Sequence, residues 1–73
     1  MKIYLISTDA WTWDCYSDHV IAANSEKEVR ELAQDSAADE GSSIWLTAPV
    51  ILLGDYKGLN QTPFIILSSF HAG

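Results

Sequence analysis

The chain has 73 residues, of which 48% are hydrophobic, and a formal net charge of −6 at pH 7. A chain of this length forms one domain, here residues 1–73, and it is too hydrophobic for an intrinsically disordered protein. The acidic balance argues against direct contact with nucleic acid, because four basic residues are too few to form a phosphate-binding patch.

Residues 2–7, KIYLIS, place apolar side chains on both faces and predict a central β-strand. This run is too short for the core of a signal peptide, and no run approaches the ~20 apolar residues of a membrane span. We therefore expect a soluble, unprocessed protein with no membrane partner. The single cysteine, Cys15, excludes an internal disulfide and favours a reducing cytoplasm.

Residues 16–23, YSDHVIAA, predict a second strand. The connection before it is too short for a crossover helix, so the two strands should be antiparallel neighbours. This connection carries tryptophans flanked by aspartates, and tryptophan is enriched at interface hot spots. We predict that a protein partner contacts Asp9, Trp11, Trp13, Asp14 and Asp18. The alternative is that one or both indoles fold back onto a small core.

Ser25 and Glu28 have the spacing of a capping box, which predicts that a helix begins at Glu26. One face of this helix is apolar or small, formed by Val29, Leu32, Ala33, Ser36 and Ala37. The opposite face carries an acidic stripe of Glu28, Glu31 and Asp35, whose members repel one another. The stripe therefore indicates either a binding face or an ordinary solvated surface.

The segment DEGSS, residues 39–43, is predicted to end the helix. The secondary structure of the segment IWLTAP, residues 44–49, is ambiguous. Pro49 has no N–H group to donate to the hydrogen bonds of a central strand, so it marks a sheet edge or the start of a strand. Residues 50–56 and 64–70 predict the third and fourth strands. The order ββαββ indicates an α+β fold, a four-stranded antiparallel sheet with one α-helix packed on it.

A metal site is suggested by ligand types within six residues, Asp14, Cys15, Asp18 and His19. Structural zinc requires a second pair of ligands, and a strand sends Asp18 and His19 to opposite faces. We therefore predict no metal. His19 is instead expected to be a hydrogen-bonded residue at a strand edge, and Cys15 a partly buried small hydrophobe.

Catalysis is not predicted either. Cys15 and His19 are four residues apart, which brings side chains together on a helix but not on a strand. Exposed carboxylates lack the desolvation that would shift a pKa usefully, and no glycine-rich phosphate loop is present. We expect no catalytic residues and no cofactor; the alternative is a small thiol or metal enzyme that uses Cys15 and His19.

Residues 13–33, WDCYSDHVIAANSEKEVRELA, resemble a family of short phage-encoded proteins with the pattern Y/W-D-x-Y-D-x-x-V-V-x-A-x-S-E-x-E-A-R and a terminal A-S-F-N-A-G. The matching positions are Trp13, Asp14, Tyr16, Val20, Ala22, Ser25, Glu26, Glu28, Arg30, Ser69, Phe70, Ala72 and Gly73. The departures are Asn24, Val29, His71 and the order of Ser17 and Asp18. These motifs are mainly two strands and a capping box, so they specify a fold more closely than a function.

In size, acidity and architecture the chain is similar to small phage anti-CRISPR proteins, several of which imitate the charge of DNA. This resemblance implies an inhibitor that binds a type I CRISPR surveillance complex (Cascade) at its DNA-binding surface, in the cytoplasm of the infected bacterium. Asp39 and Glu40 would extend the acidic stripe, and we expect a monomer. The alternative is a small phage accessory protein of structural or regulatory role that acts by protein contact or homodimerisation through a sheet edge or the tryptophan loop.

Overall fold

The computed structural model describes all 73 residues as a four-stranded antiparallel sheet with one α-helix packed on one face. The elements in chain order are β1 (Lys2–Ser7), β2 (Cys15–Ala23), α1 (Glu26–Asp35), a 3₁₀ helix (Ser42–Leu46), β3 (Val50–Asp55) and β4 (Phe64–His71). The α+β class and the ββαββ order predicted from the sequence are confirmed.

The sheet has the strand order β3-β1-β2-β4, and every neighbouring pair is antiparallel. β1 and β2 are therefore central and adjacent, as the short connection between them predicts. β3 lies at an edge, directly after Pro49, where a residue without an N–H group is tolerated. β4 forms the other edge.

The serine half of the predicted capping box forms, whereas the Glu28 carboxylate bonds to the N–H of Asn24 and not to the expected N–H of Ser25. The Ser25 hydroxyl accepts a hydrogen bond from the Glu28 N–H (3.3 Å), and the Glu28 carboxylate accepts one from the Asn24 N–H (2.7 Å). The helix ends at Asp35, earlier than the DEGSS segment suggested. The Ser36 hydroxyl donates to the Leu32 carbonyl (3.1 Å), and the acidic last turn opposes the helix dipole, so continuation is disfavoured.

The core lies between α1 and the sheet. Ile6 from β1, Ile21 from β2, and Val29 and Ala33 from α1 are fully buried there. Trp45 is the largest fully buried side chain, and the 3₁₀ helix carries it into this layer. The ambiguous IWLTAP segment is thus largely a helical turn that supplies a core aromatic. Gly41 precedes it with φ of 82°, a conformation that favours glycine.

The position of His19 differs from the strand edge that we expected. It is hydrogen-bonded, as expected, but it lies in central strand β2 and is fully buried rather than at a strand edge. Its ring lies 4.9 Å from that of Tyr16 and 5.0 Å from that of Trp45, measured between centroids. Cys15, at the start of β2, is also buried more completely than expected.

Neither helical segment combines the length and the apolar character that crossing a bilayer would require.

Candidate functional site

The tryptophan loop, residues 8–14, connects β1 to β2 and is held at both ends. Thr8 N–H donates to the Ser17 carbonyl (2.8 Å), and Asp14 N–H donates to the carbonyl of His71 in β4. Asp14 has φ of 61°, the left-handed region that aspartate tolerates better than most residues. Its carboxylate also accepts a hydrogen bond from the Gly73 N–H (3.0 Å). The loop is therefore fixed against the end of β4.

The two indoles of this loop have different environments. Trp13 is 65% exposed, whereas Trp11 is half-buried and stacks on His71 with ring centroids 3.5 Å apart. The two indoles meet edge to face at 6.4 Å. Neither belongs to the core, which uses Trp45 instead. Trp13 thus offers a large amphipathic side chain on a supported loop, which suits an anchor in a protein interface.

The acidic residues of α1 fall into two roles. Glu28 is half-buried and serves the capping box. Glu31 and Asp35 are exposed, and their carboxylates make no hydrogen bond or ion pair. They lie one helical turn apart, about 6 Å along the axis. Their negative charge is therefore available to a partner.

Arg30 does not neutralise this stripe, because its guanidinium is turned toward the 3₁₀ helix. Its Nη1 donates to the carbonyls of Trp45 (3.0 Å) and Ala48 (2.9 Å), and its Nη2 pairs with Glu26 (2.7 Å). The ammonium of Lys2 is likewise paired, with Asp55. Two of the four basic residues are thus engaged away from Glu31 and Asp35.

The tryptophan loop and the end of α1 meet. Asp39 N–H donates to the Asp14 carbonyl (3.0 Å), which joins the segment after the helix to the end of the loop. Exposed carboxylates therefore lie on α1, on the segment after it and on the loop that carries Trp13, and the bond between Asp39 and Asp14 links the last two. We call this surface the acidic face; it comprises Glu31, Asp35, Asp39, Asp14 and Trp13.

Glu40 has an internal role that the sequence did not reveal. Its Oε1 accepts from the Tyr16 N–H (2.9 Å), its Oε2 accepts from the Trp45 indole N–H (2.9 Å), and both oxygens lie 3.2 Å from the Ala38 N–H. Burial raises the pKa of this carboxyl, but these hydrogen bonds outweigh burial and hold the pKa below its ordinary value. The carboxylate of Glu40 therefore links β2 to the 3₁₀ helix through hydrogen bonds.

Asp9 and Asp18 lie apart from the acidic face. They line a shallow depression at the end of the β1–β2 hairpin, together with Ser7, Thr8 and Pro49. Asp18 accepts a hydrogen bond from the Ser17 hydroxyl (2.6 Å), while Asp9 is exposed and makes no side-chain hydrogen bond. The ten residues predicted to bind a partner thus divide among the acidic face, this depression, the half-buried Trp11, and the internal bonds of Glu28 and Glu40.

Ser17 and His71 bring a hydroxyl and an imidazole together, with 2.7 Å between Oγ and Nε2. The single hydroxyl proton of Ser17 is donated to Asp18, so the imidazole Nε2 is the donor to Ser17. A nucleophilic serine needs the reverse arrangement, with the imidazole as acceptor and the carboxylate on its other nitrogen. This cluster is therefore arranged as a structural hydrogen-bond chain.

Cys15 and His19 are not hydrogen-bonded to each other. The thiol of Cys15 lies 3.5 Å from the Trp13 carbonyl and 3.7 Å from the Thr12 hydroxyl. His19 Nδ1 bonds to the Ser68 hydroxyl (2.6 Å), and its buried Nε2 has no partner. No group of three or more His, Cys, Asp or Glu side chains is positioned to hold a metal ion.

Comparison with protein-family models, with curated proteins and with solved structures finds no match to this chain. The resemblance to short phage proteins and anti-CRISPR inhibitors therefore stays a prediction from the sequence.

Proposed function

We propose that this protein is a phage anti-CRISPR protein that binds a type I CRISPR surveillance complex and blocks its recognition of target DNA. The observation that supports the proposal is the acidic face, in which the exposed, unpaired carboxylates of Glu31, Asp35 and Asp39 accompany an exposed tryptophan, Trp13. A channel that binds a phosphate backbone is lined with basic side chains, and it attracts a surface of this kind. The protein acts in the cytoplasm of the infected bacterium and contacts no nucleic acid itself.

The exposure of its side chains supports distinct roles within the acidic face. Glu31, Asp35 and Asp39 replace phosphates, because their carboxylates are exposed and unpaired. Trp13 supplies apolar area, which converts a charge-steered encounter into a stable complex. Asp9 and Asp18 form a second acidic contact at the hairpin end.

The test is a pull-down of purified type I surveillance complexes with the tagged protein, followed by a target-DNA gel shift. We expect the wild-type protein to be retained and DNA binding to be lost. The double variant Glu31→Lys/Asp35→Lys should bind at least about tenfold more weakly, because it places positive charge against a basic channel.

The matched control is Glu26→Lys/Asp55→Lys, which changes the net charge equally but leaves the acidic face intact. Both carboxylates are exposed within their ion pairs, Glu26 at 58% and Asp55 at 60%, and ion pairs at the surface contribute little to stability. This control should bind like the wild type. Equal binding by all three proteins, or equal loss in both variants, would refute inhibition through the acidic face.

The rival proposal is a small phage accessory protein of structural or regulatory role that acts by protein contact or homodimerisation. One observation favours it, the exposed apolar side chains Ile51, Leu52 and Leu53 on edge strand β3. It predicts that no surveillance complex is retained and that reversing the acidic face has no effect.

A further inference from the structure

An apolar row crosses all four strands on the sheet face turned away from α1. The register β3-β1-β2-β4 places Ile51, Leu5, Val20 and Leu67 directly opposite one another. The adjacent row contains the fully buried Ile6, and side chains alternate between faces, so this row points away from the helix. Ile51 is 53% exposed and Leu67 60% exposed.

The next row on the same face is also apolar, with Ile3, Ala22 and Phe64 in register. The row on the other side contains Asp18, the one charged residue in these three rows. An antiparallel sheet covered on one side usually has a polar outer face, whereas apolar residues on both faces are typical of a sheet covered on both sides. Residues 1–73 leave Ile51 and Leu67 exposed at the two edges of this face, whereas Leu5 and Val20 between them are half-buried and Ala22 is fully buried.

The size of the face is near the minimum for a specific interface. Four strands spaced about 4.8 Å apart, with about six residues each, span roughly 19 by 20 Å, or about 400 Å² in projection. The accessible area of side chains exceeds their projected area, so two such faces would together bury on the order of 1,000 Å². This is also near the upper limit of the apolar patches that monomers expose.

The charge distribution permits a second copy on this face despite the net charge of −6. The unpaired acids of the acidic face lie on α1 and the loops beside it, not on the apolar rows. Two sheets packed face to face lie about 10 Å apart, with each helix on the outside, so the two helices are separated by roughly 30 Å. The Debye length at physiological salt is about 8 Å, so their repulsion is screened.

We infer that this protein forms a symmetric dimer, in place of the monomer expected from the sequence, and that the open sheet faces of two copies pack against each other. Because the two helices are outermost, Glu31 and Asp35 of both copies stay free, whereas Asp18 lies beside the interface. The dimer rests on the apolar rows alone and does not depend on the proposed inhibitor function.

The test is analytical ultracentrifugation over a concentration series, with the wild type and the single variants Ile51→Lys and Leu67→Lys. The wild type should change from monomer to dimer as its concentration rises. Each variant should raise the dimer dissociation constant at least about tenfold, because a lysine would be buried against an apolar face. Circular dichroism should show folded variants, since both positions are exposed.

The matched control is Leu46→Lys, at a leucine of the 3₁₀ helix that is 58% exposed but lies outside this face. It should dimerise like the wild type. Ile51 and Leu67 lie on opposite edge strands, so weakening by only one variant would assign the contact to a sheet edge. That result, a wild type that stays monomeric, or equal weakening by Leu46→Lys would overturn the inference.

Discussion

His19 is buried in a conformation that favours its neutral form. Its ring lies between Tyr16 and Trp45, and only Nδ1 has a hydrogen-bond partner, the hydroxyl of Ser68. Desolvation lowers the pKa of His19 below its ordinary value, although the charges of Glu40 and Asp18 partly oppose that shift. The imidazole therefore acts as a neutral core residue.

This burial predicts a loss of stability on mild acidification. The unfolded chain binds a proton at His19 near the ordinary pKa, while the folded chain binds it only at lower pH. The free energy of unfolding should therefore fall as the pH drops from about 7.5 to about 5.5. Urea titrations at both pH values measure the change. Glu40 also has a lowered pKa, and its contribution is lost in the same direction but at lower pH.

The variant His19→Leu should lose most of this pH dependence, because it removes the titrating group and keeps an apolar side chain in the core. Ser68 is exposed, so water can replace the lost partner. The control Ile21→Leu changes a fully buried core residue that does not titrate and should keep the pH dependence of the wild type. An unaltered slope in His19→Leu would contradict the assignment.

At the scale of elements, Glu40 joins three parts of the chain. Its carboxylate accepts hydrogen bonds from β2, from the segment after α1 and from the indole of the 3₁₀ helix. The last of these bonds orients Trp45, the largest core side chain. The position of the 3₁₀ helix therefore depends on this carboxylate as well as on the hydrogen bonds from Arg30.

We expect Glu40→Gln to lower the free energy of unfolding by about 2–3 kcal/mol, because an amide removes the charge and turns one acceptor into a donor that faces other donors. Chemical denaturation followed by tryptophan fluorescence measures the change. The control Asp39→Asn alters a neighbouring exposed carboxylate without a side-chain hydrogen bond, so it should change stability by less than about 0.5 kcal/mol. Equal stability of the two variants would contradict a structural role for Glu40.

At the scale of the whole molecule, charge and apolar surface are separated. The acidic face includes α1 and the adjoining loop, while the opposite side of the sheet is apolar. Two kinds of contact are therefore available at once, one electrostatic and one hydrophobic. A dimer would present two acidic faces to its surroundings.

This separation predicts opposite responses to salt. Binding of a surveillance complex through the acidic face should weaken as salt rises from about 0.05 M to about 0.5 M, because screening shortens the range of charge attraction. Dimerisation through the sheet face should be unchanged or stronger over the same range, since salt also screens the repulsion between like-charged copies. Pull-down and ultracentrifugation at each salt concentration measure both. Dimer dissociation at high salt would contradict an apolar interface.

The order and type of the main elements could be predicted from the sequence because their signals are local. The N-terminal cap acts between Ser25 and Glu28, and the apolar run that predicts β1 lies within six residues. The short connection between β1 and β2 required an antiparallel pair. Local signals also showed that the acids are concentrated on α1 and the loops.

The roles of individual side chains were decided by tertiary contacts between distant residues. Glu40 bonds to Tyr16 across 24 positions, and His19 bonds to Ser68 across 49, so no local pattern could separate these residues from exposed ones. The sequence showed apolar residues on both faces of β1, but only the register showed that α1 covers one face and leaves the other open. Burial is a property of the assembled layers, and it becomes defined only when strands and helix pack together.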